Sequence, residues 1–208
     1  MVGVDIALVA AALVAAYLIG TFPSALIVAK RGGIDVTAEG SGNPGTSNVV
    51  RLLGWRYGAV VFIADVLKGS IATALGWWVS TSVFDGGRVS VMAFACGYAA
   101  VLGHTFPATR GFRGGKGVAA GGGSMYVLYP LASLVLCISW FFIRKATGKS
   151  SVASLVITIG VPVYVIAARV IPDGKWWELA GVLGLAVLVI VRHLPNIRRL
   201  RGRTEHAA

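Results

Sequence analysis

The sequence predicts an all-α integral membrane protein with seven transmembrane helices, and three observations carry that prediction. Of 208 residues, 56% are hydrophobic and 13% charged, and the mean hydropathy is +0.78; an average soluble domain carries about 25% charged residues. Long apolar runs recur along the chain, separated by short polar loops. The basic residues cluster in alternate loops. Crossing a hydrocarbon layer of about 30 Å takes roughly 20 apolar residues, so this length accommodates about six or seven crossings with little left for an extramembrane domain. The chain is accordingly read as one membrane-embedded domain spanning residues 1–208.

The first run covers residues 4–29. It is too long for a secretory signal peptide and no basic residue precedes it. Pro23, together with Gly20, predicts a kink towards its second end. A polar, glycine-rich loop follows over residues 30–56, and then a second run over 58–83, interrupted by Asp65 and Lys68. These two charges are three residues apart and share a helical face, where pairing lowers the cost of burial. Two readings stand: an ion pair near the cytoplasmic interface with Lys68 snorkelling, or a role beside an active site. The third and fourth runs, 89–103 and 118–129, are short enough to be tilted or re-entrant unless their flanks lengthen them. The fifth, sixth and seventh cover 131–143, 152–170 and 177–191. The boundary at Tyr129 and Pro130 is the least sharply marked.

Sidedness follows from the Lys and Arg residues, which are in excess on cytoplasmic flanks. Seven crossings with the amino terminus outside place Lys30, Arg31, Arg51, Arg56, Arg110, Arg113, Lys116, Arg144, Lys145, Lys149, Arg192, Arg198, Arg199, Arg201 and Arg203 on the cytoplasmic side. Arg88, Arg169 and Lys175 lie opposite, and Lys68 lies within a span. The pairs Trp77 and Trp78, and Trp176 and Trp177, then fall near outer ends as interfacial anchors. Cys96 and Cys137 sit in apolar runs without metal-ligand spacing and read as packing residues. The 28 glycines have no Gly-X-Y period and fit close helix packing and backbone-lined loops. The net charge of +11 is thus one-sided. That favours anionic lipid and an anionic substrate, and excludes nucleic acid as partner.

Three polar segments on the basic side carry the candidate chemistry. In EGSGNPGTSNVVR, residues 39–51, Ser, Asn and backbone N–H groups are phosphate donors and Arg51 offers a bidentate fork. Asx turns and a helix cap at Ser47 or Asn48 are the structural alternative. In GHTFPATRGFRGGKGVAAGGG, residues 103–123, Gly114, Gly115 and Gly117 surround Lys116 ahead of a helix. Free amides, helix dipole and ammonium would converge there on an anion. The GxxxxGK[ST] spelling of nucleotide-hydrolysing loops is absent, and a glycine hinge with a snorkelling lysine is the structural alternative. In RHLPNIRRLRGRTE, residues 192–205, His193 and Asn196 are three residues apart, although Pro195 argues against an uninterrupted helix. His193 suits acid–base work or donation to an oxyanion, while the arginines that follow suit anionic lipid. Ser150, Ser151 and Ser154 after Lys149 read first as helix caps and second as anion ligands.

Taken together, SGNPGTSNVVR at 41–51, GHTFPATRGFRGGKGVAA at 103–120 and RHLPNIRRLRGRTE at 192–205 resemble the PlsY family of bacterial acyl-phosphate-dependent glycerol-3-phosphate acyltransferases. The likeness runs along the whole chain and includes FPSALIVAK and DVLKG. It implies a seven-helix enzyme of the bacterial cytoplasmic membrane with its active site on the inner face. Such an enzyme moves a long-chain acyl group from acyl phosphate to the sn-1 hydroxyl of sn-glycerol 3-phosphate, giving lysophosphatidic acid and phosphate. The resemblance implies neither acyl-CoA nor acyl carrier protein as donor, and no cofactor or metal. It assigns catalytic roles to Ser41, Arg51, Lys116, His193 and Asn196, and substrate binding to Asn43, Gly45, Asn48, Gly114, Gly115, Gly117 and Ser151. Glu205 is its terminal, structural acid. Ala108, Thr109, Arg110, Ala120 and Arg203 depart from the family pattern and touch loop packing and the tail. Two other classes remain: a transporter or channel for a phosphorylated small anion, which should bind near the midplane within related repeats, and a lipid-binding scaffold, for which the GGKG loop has no use.

Overall fold

The structure, a computed structural model, describes residues 2–84, 87, 89–202 and 204, with backbone only for residues 2–5. Arg88, Arg203 and Glu205 lie outside the described residues. The described elements are helical throughout, with no strand among them, and they divide into two compact units, Met1–Leu128 and Tyr129–Ala208.

The first unit holds α1 (Val2–Thr21), α2 (Ser24–Arg31), α3 (Thr46–Leu53), α4 (Trp55–Val83), α5 (Val91–Thr105) and α6 (Val118–Leu128). Helix α4, with 29 residues, touches each of the other five. The 4–29 run is indeed interrupted at Pro23, which separates α1 from α2 because proline supplies no N–H to continue the ladder. Gly20 has a different task from the one expected. A Cβ there would collide with the Ala100 carbonyl of α5, so Gly20 permits close packing rather than bending. Gly103 returns the favour against the Tyr17 carbonyl, and Gly69 and Gly123 do the same between α4 and α6. The glycine-rich composition therefore lines helix seams where backbones touch. Core residues such as Ala16, Ala72, Cys96 and Ala100 are small for the same reason.

The second unit holds α7 (Pro130–Thr147), α8 (Ser150–Val165), a π-turn over Ile166–Val170, α9 (Ile171–Asp173), α10 (Trp176–Arg192) and α11 (Leu194–Arg201). Helix α7 packs on α8, where the Trp140 indole donates to Ser154 Oγ at 3.0 Å, and no α7 residue is buried. Pro162 interrupts the α8 ladder, and a π-turn follows. The turn carries Arg169 to Glu178, which is 1% exposed. Arg169 Nε and Nη2 donate to the two Glu178 oxygens at 3.0 and 2.9 Å, Nη1 donates to Asp173, and Tyr129 Oη donates to Glu178 Oε2 at 2.6 Å.

All seven predicted apolar runs are helical. Five stretches, including Ile6–Arg31 across the Pro23 break, are long and apolar enough to cross a membrane, and the pair α10 and α11, bent by 55°, would make a sixth. Helix α6 is the exception: its 11 residues rise only about 16 Å. The third run is lengthened by its flank, as expected, to Val91–Arg110.

Two outcomes test this packing. Gly69→Ala forces α4 and α6 apart and should cost about 1–3 kcal/mol, read as a lower melting temperature in detergent, whereas Gly122→Ala, which meets nothing within 4 Å, should leave it unchanged. Arg169→Ala strands the buried Glu178 carboxylate and should cost about 3–5 kcal/mol in the same measurement, partly recovered by adding Glu178→Gln.

Candidate active site

The 39–51 segment is organised by one side chain. Asn48, 1% exposed in α3, donates from Nδ2 to the Val36 and Glu39 carbonyls at 3.1 and 3.0 Å. Its Oδ1 accepts from the Ser41 amide at 2.9 Å and from Arg51 Nη1 at 3.1 Å. Both donors and both lone-pair directions of the amide are thus engaged within the loop. The expected cap at Ser47 or Asn48 is not found: Gly45 is the N-cap and makes no side-chain bond. Asn48 instead folds the preceding loop back and aims Arg51. Gly40 is required here, with φ of +61° and no room for a Cβ beside Asn48 Oδ1. The Asn43 amide reaches Ser41 Oγ at 3.5 Å. Outside the spans, Asp35 closes an Asx turn, and hydrogen bonds from the Thr37 hydroxyl and amide hold its carboxyl below the usual range.

The 114–117 loop is clamped to the end of α5. The Gly115 amide donates to the His104 carbonyl at 3.1 Å, so this N–H is engaged internally rather than offered to an anion. A Cβ on Gly114 would collide with the His104 carbonyl, and one on Gly115 with His104 Nε2. Two of the loop's glycines thus serve close approach, while Gly117, at φ of +85°, turns the chain into α6. Lys116 is half-buried between them. Tyr17 Oη steadies the connection by donating to the Phe106 carbonyl at 2.8 Å and accepting from the Ala108 amide at 2.9 Å.

The two loops meet. Pro44 of the first and Gly115 of the second line one polar cleft with Phe22, Pro23, Ser24, Ala25, Lys68, His104 and Arg110. Its floor is a buried charge cluster. Lys68 Nζ lies 2.8 Å from Asp65 Oδ1, donates to the Phe22 carbonyl at 2.9 Å, and lies 3.3 Å from His104 Nδ1. Ser24 Oγ donates to Asp65 Oδ1 at 2.5 Å. Lys68 is 4% exposed, which overturns the snorkelling expectation: its ammonium finds acceptors inside the protein. Arg110 reaches the Thr21 carbonyl at 3.5 Å, and its buried Nε has no partner among the described residues. Sequence reasoning marked the Asp65 and Lys68 pair but not its partners Ser24 and His104. The only available signals were a serine next to a helix-breaking proline and a histidine at the foot of the GGKG segment.

In the second unit, α10 runs back along α8 towards the end that carries Ser150 and Ser151. His193 caps α10, and Pro195 stands in the first turn of α11, so the predicted interruption is real. His193 and Asn196 are nonetheless both buried, at 2% and 4% exposure. His193 Nδ1 lies 2.8 Å from the Val189 carbonyl. A carbonyl only accepts, so Nδ1 carries a proton and donates it there. The serines do not cap α8. Lys149 is its N-cap, and the Oγ atoms of Ser150 and Ser151 are buried without a partner among the described residues.

The family model for glycerol-3-phosphate acyltransferase matches residues 10–203. The chain belongs to that family. Among its relatives, the glycerol-3-phosphate acyltransferases of Clostridioides difficile (strain 630) and Streptococcus pneumoniae (strain CGSP14) are 39% and 37% identical. These alignments cover 92% and 93% of this chain and 91% and 90% of theirs. The crystal structure of PlsY (YgiH), an integral membrane glycerol 3-phosphate acyltransferase in its glycerol 3-phosphate form, superposes with a TM-score of 0.84 at 34% identity, covering 96% of this chain and 95% of that one. Its lysophosphatidic acid form gives 0.83. This acyltransferase is therefore a multi-pass membrane protein of phospholipid synthesis.

Asn48→Ala removes four hydrogen bonds from the acyltransferase's first loop. The loss should cost about 1–3 kcal/mol and accelerate amide exchange at Ser41, measurable by mass spectrometry.

Proposed function

We propose that this protein transfers the acyl group of a long-chain acyl phosphate to the sn-1 hydroxyl of sn-glycerol 3-phosphate, releasing phosphate and lysophosphatidic acid. This is the first acylation of bacterial phospholipid synthesis. The chain acts as one catalytic domain with seven membrane crossings, the amino terminus outside and the carboxyl terminus inside. Its active site faces the cytoplasm across the inner membrane, and it draws on neither acyl-CoA nor acyl carrier protein. The observation that carries this reading is the convergence, in a member of this family, of Pro44 from the 41–51 loop and Gly115 from the 114–117 loop on one cleft that Lys68, His104 and Arg110 also line.

Both substrates carry phosphate, and the donor is a mixed anhydride with a good leaving group. Catalysis then rests on positioning two anions and stabilising the charge that grows on the acyl carbonyl. Arg51 and Lys116 bind glycerol 3-phosphate, and Ser151, His193 and Asn196 are the second unit's residues to which the family resemblance gives a substrate role. Ser41, Asn43 and the glycines of the 114–117 loop serve the acyl phosphate. The Gly115 amide is the exception, since it is bonded to His104. The glycerol oxygen bonds to the acyl carbon, the bond from that carbon to the phosphate oxygen breaks, and the hydroxyl proton passes to a substrate phosphate oxygen or to His193 Nε2. The buried Oγ atoms of Ser150 and Ser151 at the start of α8, without a partner among the described residues, support an anion there, because buried hydroxyls ordinarily find partners.

Purified protein incubated with palmitoyl phosphate and glycerol 3-phosphate should yield lysophosphatidic acid, and palmitoyl-CoA in place of palmitoyl phosphate should yield none. Absence of product, with anion uptake into liposomes instead, overturns the reading. Arg51→Lys keeps the charge but loses the fork and should lower kcat/KM by about 10-fold or more. Full turnover by His193→Ala would exclude His193 as the required base and leave the substrate-assisted route.

A further inference from the structure

We propose that His104 is a positioning residue for this reaction, holding the 114–117 loop and with it Lys116 in a single arrangement under the control of the buried Asp65 and Lys68 pair. The proposal rests on the acyltransferase reading above. An ammonium has three N–H donors and no lone pair. Lys68 Nζ faces Asp65 Oδ1 at 2.8 Å, the Phe22 carbonyl at 2.9 Å, His104 Nδ1 at 3.3 Å and, more distantly, Ser24 Oγ at 3.5 Å. In its contact with the ammonium Nδ1 takes the accepting role, which turns Nε2 towards the loop. That nitrogen lies directly against the Cα of Gly115, while the carbonyl of the same residue accepts the Gly115 amide and abuts Gly114. Ring and backbone of His104 thus grip the two residues that precede Lys116. Asp65 sets the direction of Lys68, Lys68 sets the ring, and the ring sets the loop. Ser24 locks the first step by donating to Asp65. Removing the ring leaves the loop's residues unchanged but frees their geometry, which is how a supporting shell acts on the residues that meet substrate.

The test compares His104→Ala, His104→Gln, His104→Asn and the neutral pair Asp65→Asn with Lys68→Met, all in detergent. His104→Ala should raise KM for at least one of palmitoyl phosphate and glycerol 3-phosphate by about 10-fold and speed amide exchange over residues 114–117 by about 10-fold. Glutamine places its amide nitrogen where Nε2 stood and should restore both readouts to within about 3-fold. Asparagine reaches only the Nδ1 position and should restore neither. The neutral pair keeps the ring but releases it, and should reproduce the alanine phenotype, so the proposal is still judged if His104→Ala fails to fold. Unchanged KM with a smaller active fraction, or unchanged exchange over 114–117 in the neutral pair, overturns it. If wild-type protein forms no lysophosphatidic acid, the acyltransferase reading fails, and the exchange measurement still decides whether His104 holds the loop.

Discussion

Asp65 and Lys68 place two opposite charges inside an apolar helix bundle, at 2% and 4% exposure, and much of the first unit is arranged to make that tolerable. A buried ion pair recovers its desolvation cost only if its remaining donors and lone pairs are satisfied. Pro23 contributes by breaking the first run, which leaves the Phe22 carbonyl available to Lys68 and puts Ser24 at the start of α2, within reach of Asp65. His104 supplies a further acceptor from α5. Three chain segments, α4, the break between α1 and α2, and α5, are thereby tied to one point, and through His104 the 114–117 loop is tied to it as well.

Glycine serves two physically distinct ends in this chain. Along the helix seams it removes the Cβ that would hold backbones apart, as Gly20 and Gly103 do between α1 and α5 and Gly69 and Gly123 do between α4 and α6. In the loops it admits a backbone turn, as at Gly40 and Gly117 with positive φ. Gly114 and Gly115 look from sequence like members of the second class and belong to the first, since each is pressed against His104. The same letters in GGKG thus divide between approach and turning.

The second unit manages its polar groups by a different device. Pro162 and the π-turn after it swing Arg169 onto Glu178, whose two oxygens are taken by Arg169 and Tyr129. Towards the other end of α10 the break at His193 keeps the ring inside the helix pair, its Nδ1 proton given to the Val189 carbonyl. One buried carboxylate is thus met by a structural clamp, and one buried imidazole is held in orientation by its Nδ1–H bond to the Val189 carbonyl.

Apolar runs and their polar separators are local properties, so the seven helical segments, the Pro23 and Pro195 breaks and the three motif-bearing loops were legible in the residues. The spelling of those loops, in order, was enough to indicate the family. What a side chain does with its hydrogen bonds depends on which segment folds against it, and no local pattern carries that. Asn48 reads as a ligand or cap and is the hub of its loop; Lys68 reads as a snorkelling lysine and is buried; Ser150 and Ser151 read as caps, and their hydroxyls have no partner among the described residues. Sequence alone determined which residues were available for the chemistry and that most of the positive charge clusters in alternate loops. The tertiary structure decided which of them are engaged in holding the loops, because that choice is made by distances of about 3 Å between residues as far apart as Phe22, Lys68 and His104.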